Sequence, residues 1–466
     1  MDHSSPNILL IHVDQHRFDC LGVNGHPLLK TPHIDRLAAE GMNFTHAFCP
    51  IPLCVPTRNS LLHGQWATEH LSVCNWDTEA PRPPQSGLPT FSRTLREAGY
   101  YLGYVGKWHV HQEKDPLDSD YGFHEYVPDW GAYMEWREAR GLPPLPRASG
   151  WFGELDPHIG PEDSQLAWGA DHTIRMIETG VERGAPFFVR WDPTEPHLPN
   201  IVPEPYFSMY PPETIPPWPS FPDPLIGKPY AQAQQRRTWR VDDWTWSEWA
   251  QVVSRYLGVI SLIDAQVGRL LEALDRFGVA NNTLVIYTSD HGDLCGGHGM
   301  MDKMVIMYDD VTRVPLVMRW PGHITPGSQC DAFVSHSIDL ATTFCEVAGA
   351  PVPETFRGQN LIPLMEGAQD NSRQDIFSTF HGNQFGLYSQ RMVRDRRWKY
   401  VWNLSAEDEL YDLQSDPGEI HNLATDPAHA GELQRLRERM VAWLEDTNDP
   451  ILNMWTRPQL LDGLKV

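Results

Sequence analysis

No stretch of the 466-residue sequence approaches the ~20 consecutive apolar residues that a bilayer-spanning helix needs; the longest apolar runs are strand-sized. A soluble chain with no membrane partner is expected. Cysteine is scarce and irregular: the seven residues Cys20, Cys49, Cys54, Cys74, Cys295, Cys330 and Cys345 include no CxxC pair. Such an odd, unspaced set argues against a disulfide framework and against a thiolate zinc site. Met1 to Asn7 has no basic region, long apolar core or small-residue cleavage site, so no export signal is read and a reducing, cytoplasmic location is expected. Basic residues are also in short supply, with 37 Lys+Arg against 61 Asp+Glu and a formal net charge of -24. That field repels phosphate and argues against a nucleic-acid partner. An anionic substrate has to be met by a few positioned cations and a metal. Internal repeats and low-complexity tracts are absent too.

What is present is ordinary globular composition, 41% hydrophobic and 21% charged, which excludes a disordered chain. Asn7 to Val13 is a β-rich apolar run that stops at Asp14-Gln15-His16, as a buried parallel strand does when it delivers polar groups at its C-terminal edge. Thr31 to Leu37 reads as a proline-started helix and Met42 to Phe44 as extended. Phe91 to Gly99 reads as a helix with a glycine stop, and Tyr100 to Val105 as the strand after it. Leu257 to Phe277 has helical period, and Thr283 to Thr288 is a strand ending in Ser289-Asp290-His291-Gly292. Strands alternating with helices predict an α/β fold. Two Pro- and Trp-rich stretches, about 115–160 and 199–229, show no clean period and read as long insertions, where substrate pockets commonly lie. From about residue 374 short extended pieces (Met392-Val393, Trp398 to Trp402, Glu409 to Leu413) precede a helix from Ala428 to Glu445, a small α+β unit.

The most specific signal is Leu53-Cys54-Val55-Pro56-Thr57-Arg58, followed by Ser60-Leu61-Leu62 and Gly64. An isolated cysteine is usually a small buried hydrophobe. In this setting, however, Cys-x-Pro-x-Arg resembles the maturation signature of the sulfatase family, whose cysteine is converted to formylglycine. Other motifs keep the family's order. These are Asn7 to Gln15, Gly99-Tyr100 through Gly106-Lys107-Trp108-His109, Pro196-His197-Leu198-Pro199, Ser289 to Gly292 with His298-Gly299 and Lys303, and Glu409 to Leu413 with Asp416-Pro417 and Glu419 to Leu423. Three positions depart from the usual pattern: His63 stands for Thr, Gln15 for a second Asp, and His291 for Asn.

The residues support one site. Asp14 and Asp290 each end an apolar strand, where an unpaired carboxylate is costly unless it meets a cation. With Gln15, His291 and the residue at 54, they form a mostly oxygen set that suits one divalent metal, Ca²⁺ first, with Mg²⁺ or Mn²⁺ also compatible. Lys107 and His109 are two apart at the end of an extended run and so can share a face. The resemblance implies a mechanism in which hydrated formylglycine at 54 attacks sulfur in line, its nucleophilicity raised by the metal. Lys107 and Lys303 neutralise the sulfuryl oxygens. His197, assisted by Lys303, protonates the leaving alcohol, and His109 removes the proton whose loss expels sulfate. Arg58 holds the diol. Asn75 is a candidate substrate contact; His12, His16 and His298 are weaker candidates.

Eighteen tryptophans, several in or just after the insertions (Trp130, Trp136, Trp151, Trp218, Trp239, Trp244, Trp246, Trp249), either pack those insertions on the core or stack on a ligand. The expectation is a small anionic ester, a sulfated carbohydrate, with aryl sulfates as artificial substrates and a formylglycine-generating maturase as protein partner. Two alternatives stand beside it. One is a phosphonate monoester or phosphodiester hydrolase of the same superfamily, against which the intact Lys107-Trp108-His109 argues. The other is a non-catalytic glycan-binding relative, expected to have lost Cys54, Asp14 or Asp290. The implied fold is an alkaline-phosphatase-like α/β sandwich, with a large mostly parallel or mixed sheet flanked by helices over residues 1–370. A small α+β subdomain would span 371–466. Oligomeric state is open, although the apolar tail from Ile451 to Leu464 offers a docking surface.

Overall fold

The strand Asn7–Val13 is buried at every position, and its side chains alternate between two separate cores. Ile8 and Leu10 face one core, with Leu61, Leu62, Phe91, Leu95, Leu340 and Phe344. Leu9, Ile11 and Val13 face the other, with Ile34, Leu37, Ile177, Ile263 and Leu270. A strand with two apolar faces must be covered on both sides, and the result is a three-layer α/β/α sandwich. The computed structural model describes residues 5–75, 83–146, 151–303, 305–368, 373–382, 388–463 and 465.

The central sheet has eight strands in the order Ser328–Cys330, Met42–Phe44, Leu316–Arg319, Thr283–Ser289, Asn7–Val13, Phe187–Asp192, Tyr101–Gly106 and Glu125–Val127. The last five run parallel, while Leu316–Arg319 pairs antiparallel with both its neighbours. The C-terminal ends of five adjacent strands therefore open on one edge, where parallel sheets build their sites. A second, antiparallel sheet of four strands (Ile376–Gly382, Tyr388–Arg394, Trp398–Asn403, Glu409–Asp412) is packed by the helix Ala430–Asp446 through Leu436, Met440 and Leu444. The boundary expected at residue 370 falls on 369–372, outside the described residues. So does Leu464 of the apolar tail, in which Leu460 is buried and Trp455 exposed. No helix among the described residues is long and apolar enough to cross a membrane.

Several elements differ from the sequence reading. The helix expected from Leu257 begins at Trp246 and runs to Arg276, because Thr245 and Glu248 form a capping box just ahead of the Trp-rich segment. The two aperiodic insertions hold regular pieces, the edge strand Glu125–Val127, the helix Trp130–Ala139 and a two-residue strand at Ile201–Val202. The helix Gln165–Arg183 and the central strand Phe187–Asp192 were not anticipated. That strand carries Arg190 and Asp192, charges that mask an apolar run but are buried and paired, with Arg190 Nε donating to Asp192 Oδ1 at 2.7 Å. The tryptophans divide as well. Trp218 and Trp249 are buried, Trp239, Trp244 and Trp246 pack against them, and Trp130 and Trp151 remain exposed.

Gly106 ends the strand before Lys107 with φ 114°, and a Cβ there would lie 2.0 Å from the Asp192 carbonyl oxygen. That same oxygen accepts the Lys107 amide at 2.7 Å. Gly106→Ala is therefore expected to destabilise the protein by about 1–3 kcal/mol, read as a lower urea midpoint at unchanged slope.

Candidate active site

Four strand ends and one helix start converge on the open edge of the sheet. Asp14 follows Asn7–Val13, Asp290 follows Thr283–Ser289, and Lys107 with His109 follows Tyr101–Gly106. His197 lies five residues beyond Phe187–Asp192. Cys54 is the first residue of the helix Cys54–His63. No side chain of Leu53 caps that helix; instead Asn75 Oδ1 accepts the Val55 amide at 3.1 Å, fixing its first turn. Arg58 is one turn along the same helix face as Cys54.

Ligand atoms of Asp14, Cys54, Asp290 and His291 all lie within 4.8 Å of one another, and all four residues are buried. The Cys54 sulfur is 3.2 Å from His291 Nε2 and 3.8 Å from Asp14 Oδ1. His291 Nδ1 contacts its neighbour's carbonyl, Gly292 O, at 2.9 Å, which assigns the proton to Nδ1 and turns the Nε2 lone pair into the site. Burial would lower the His291 imidazole, but Asp290 and Cys54 overcome it and push it up to about 9. Two carboxylates, one imidazole and the residue at 54 are a fitting donor set for a divalent ion. Gln15 lies beside this group with a different engagement. Its backbone amide donates to Asp290 Oδ1, while its side chain bonds Lys303, Asp293 and Asp302.

The cations are arranged around the acids. Arg58 is fully buried; its guanidinium donates to Asp290 Oδ2 at 3.2 Å, Asp14 Oδ2 at 3.1 Å, Asp192 Oδ2 at 2.8 Å and the Lys107 carbonyl at 3.1 Å. Arg58, expected to hold the nucleophile, thus also bonds the carboxylates beside it. Lys107 Nζ is 2.6 Å from Asp14 Oδ2 and keeps some solvent access. Lys303 Nζ donates to Gln15 Oε1 and to His197 Nε2, both at 2.8 Å. His197 Nδ1 in turn sits 2.8 Å from the Leu198 carbonyl, which fixes its tautomer. His109, at φ 47°, hydrogen-bonds the Cys54 side chain. Burial opposes ionisation of the Cys54 thiol, yet Lys107, Lys303 and His291 outweigh it and hold the thiol well below its ordinary value. Burial and Cys54 likewise push Asp14 up, while Lys107, His197 and Arg58 hold it below the usual carboxylate range.

The weaker histidines play other parts. His16 bonds Tyr287 Oη and the Cys20 carbonyl, and His298 bonds Asp223 and stacks on Tyr308. His12 lies under the site, 3.0 Å from Asp192. Asp192, Asp293 and Asp302 were missed in the sequence. For Asp192 the signal was available, an acid ending an apolar run just as Asp14 and Asp290 do.

Two strand-end acids, a helix-start cysteine and paired Lys/His groups on an α/β/α sandwich define an ester hydrolase of the alkaline phosphatase superfamily. Residues 6–350 match the Sulfatase family, so the chain belongs to that family and is an enzyme of the sulfuric ester hydrolase class. Residues 296–446 also match the family described as N-sulphoglucosamine sulphohydrolase, C-terminal. The arylsulfatase of Clostridium perfringens is 29% identical over 94% of this chain and 94% of its own length. An N-acetylglucosamine-6-O-sulfatase of Bacteroides thetaiotaomicron is 27% identical over 96% of this chain and 88% of its own. Among solved structures, the phosphonate monoester hydrolase of Agrobacterium radiobacter superposes with a TM-score of 0.82 at 28% identity, covering 95% of this chain and 96% of that one.

Replacing Arg58 leaves three buried carboxylates facing one another. Arg58→Met is expected to cost about 3–5 kcal/mol of stability, measured by chemical denaturation in metal-free buffer, because a buried charge set that loses one partner is left uncompensated.

Proposed function

We propose that the protein hydrolyses a sulfate monoester of a carbohydrate, with position 54 as the nucleophile after conversion of Cys54 to formylglycine by a maturase. The carrying observation is the convergence on the Cys54 side chain of an acid and imidazole set on one side and of Lys107, His109, Lys303 and His197 on the other. A divalent ion, Ca²⁺ by the hardness of the donors, would be held by Asp14, Gln15, Asp290, His291 and residue 54; when bound it would supply Lewis-acid charge. Formylglycine supplies, as its hydrate, two hydroxyls on one carbon, one to accept the sulfuryl group and one to lose the proton that expels it.

The chain's own side chains do the rest. Lys107 and Lys303 meet the sulfuryl oxygens in a buried place, where such charges act strongly. His197 Nδ1 is held on the Leu198 carbonyl, so Nε2 faces Lys303 and accepts from it in the neutral imidazole; a proton taken up there from Lys303 can pass to the leaving oxygen. His109, bonded to the Cys54 side chain, is placed to take the proton of the second hydroxyl. Asn75 holds the first turn of the nucleophile helix. The carbohydrate is supported by the sugar sulfatase relative, by the C-terminal family match, and by the exposed indoles of Trp130 and Trp151 in the insertions. A phosphonate monoester is the second reading, favoured by Gln15 and His291 at the metal set and by the 0.82 superposition. Lys107 and His109 weigh toward sulfate.

Mass spectra of the Cys54 peptide, from protein made with and without a maturase, are expected to show the thiol replaced by an aldehyde, with hydrolysis rising in proportion. Full activity with the cysteine intact would remove position 54 from the mechanism. Matched aryl sulfate and aryl phosphonate esters are expected to favour sulfate. The pH profile carries a further sign. Burial first, then Lys107, holds the His109 imidazole below its ordinary value, and a base acts only when neutral. Activity therefore falls as pH drops through that lowered value. In Lys107→Met kcat falls by about 10²–10³-fold, and the acid limb moves to higher pH because the repelling charge is gone.

A further inference from the structure

Where the helix Ala430–Asp446 and the strand Ile376–Gly382 meet the segment 335–359, a cleft of about 500 Å³ opens, within the size range of small-ligand sites. Trp66, on its wall, follows the far end of the ten-residue helix Cys54–His63, roughly 15 Å in length, so a group bound there is not the one that reacts at Cys54. Three guanidiniums line the cleft, each fixed by an acid. Arg357 Nε donates to Glu69 Oε1 at 2.6 Å, Arg373 donates through both Nη atoms to Asp339 at 2.6 and 3.1 Å, and Arg439 donates through Nε and Nη2 to Asp375. The side chains of Arg357 and Arg439 stay 49% and 41% exposed, with both Nη groups of Arg357 and Nη1 of Arg439 outside these pairs. Arg439 lies over the ring of Phe377 at 4.9 Å, and Phe377 stacks on Trp443 with centroids 4.5 Å apart. Acceptors stand beside these donors. Ser335 Oγ, in a residue 2% exposed, and Gln359 Oε1 have no hydrogen-bond partner among the described residues, and both residues line the cleft. Buried oxygens seldom stay unpaired, so these two mark where a ligand's hydrogens are wanted. Asp446 adds an exposed carboxylate at the rim, bonded to none of the three arginines.

We propose that this cleft is a second carbohydrate site, taking an uncharged sugar of disaccharide size. The charges on its walls select that chemistry. Glu69, Asp339 and Asp375 offset the three arginines one for one, and Asp446 is left over, so a bare anion meets a carboxylate and a cation meets guanidiniums. Hydroxyl groups both give and accept, and so match fixed guanidinium donors set among the Ser335, Gln359 and Asp446 oxygens. The edges of Trp66 and Trp443 offer apolar contact for the C–H face of a ring. Holding a glycan chain away from the ester under attack is the role this site serves if the substrate is a carbohydrate, as proposed above; the binding itself does not rest on that reading.

The test titrates the full chain with cellobiose, maltose, lactose and N,N′-diacetylchitobiose, followed by saturation-transfer NMR, with inorganic sulfate as the anion control. At least one of these disaccharides is expected to bind the wild type, and Arg357→Ala and Asp446→Ala are each expected to weaken it by about 10-fold or more, the loss of one hydrogen bond to a charged group. Both residues are exposed, so the variants should keep the wild-type urea midpoint and hydrolyse p-nitrophenyl sulfate within about 2-fold of wild type. No binding by any of the disaccharides, or binding that survives both substitutions, would overturn the proposal. Displacement of the sugar by inorganic sulfate would overturn it too, since the cleft would then be an anion site. Binding that is lost in Lys107→Met and kept in Arg357→Ala would put the sugar at Cys54 and count equally against it. The titration needs neither metal nor formylglycine, so failure of the sulfatase reading at Cys54 leaves its outcome untouched.

Discussion

Arg58 sits with no solvent exposure between Asp14, Asp192 and Asp290, three carboxylates delivered by three adjacent parallel strands. Strand ends that carry acids repel one another, and parallel pairing brings them within roughly 5–10 Å. The guanidinium has enough donors in one plane to bond all three. Because Arg58 and Cys54 are one helical turn apart, the group that neutralises the acids also fixes the helix that presents the nucleophile. Sheet register, helix placement and the donor geometry thus depend on one buried cation. Asp192 transmits the constraint outward, since it also receives Arg190 and contacts His12.

The formal charges of the inner cluster bear on its substrate. Asp14, Asp192, Asp290, Asp293 and Asp302 are linked, directly or through Gln15, to Arg58, Arg190, Lys107 and Lys303. Counting carboxylates, guanidinium and ammonium groups alone, five acids against four bases leave one formal negative charge; a divalent cation held there would reverse that sign, which suits an anionic ester. The molecule as a whole carries -24, a field that repels anions at long range. Selection of an anionic ester is therefore a short-range property of the cluster, where low polarity strengthens each contact.

Much of this was legible in the sequence, for reasons that can be named. Asn7 to Val13 and Thr283 to Ser289 read as buried strands because two-faced burial demands uninterrupted apolar runs, and their terminal acids announced the site. Cys54, Arg58, Lys107, His109, His197 and Lys303 came together as their motifs implied. Phe187–Asp192 went unread because Arg190 breaks its apolar run and is buriable only through its pairing with Asp192, although the acid at the end of the run was a signal of the same kind as Asp14 and Asp290. The start of the long helix at Trp246 was hidden by tryptophans whose partners, Trp218 and Ile215, come from the preceding insertion. Those are tertiary facts, and local pattern carries no trace of them.

The roles of Arg58 and Gln15 show where motif reading stops and geometry begins. A motif fixes which residues are near a site, but the direction of each donor follows from what else is buried there. Arg58 is one turn from Cys54, and its donors meet three buried carboxylates as well. Gln15 follows the strand-end acid Asp14. Its left-handed turn sends the side chain to Lys303 and the Asp293–Asp302 pair. In both cases the outcome is set by satisfaction of buried charge, which outweighs proximity along the chain.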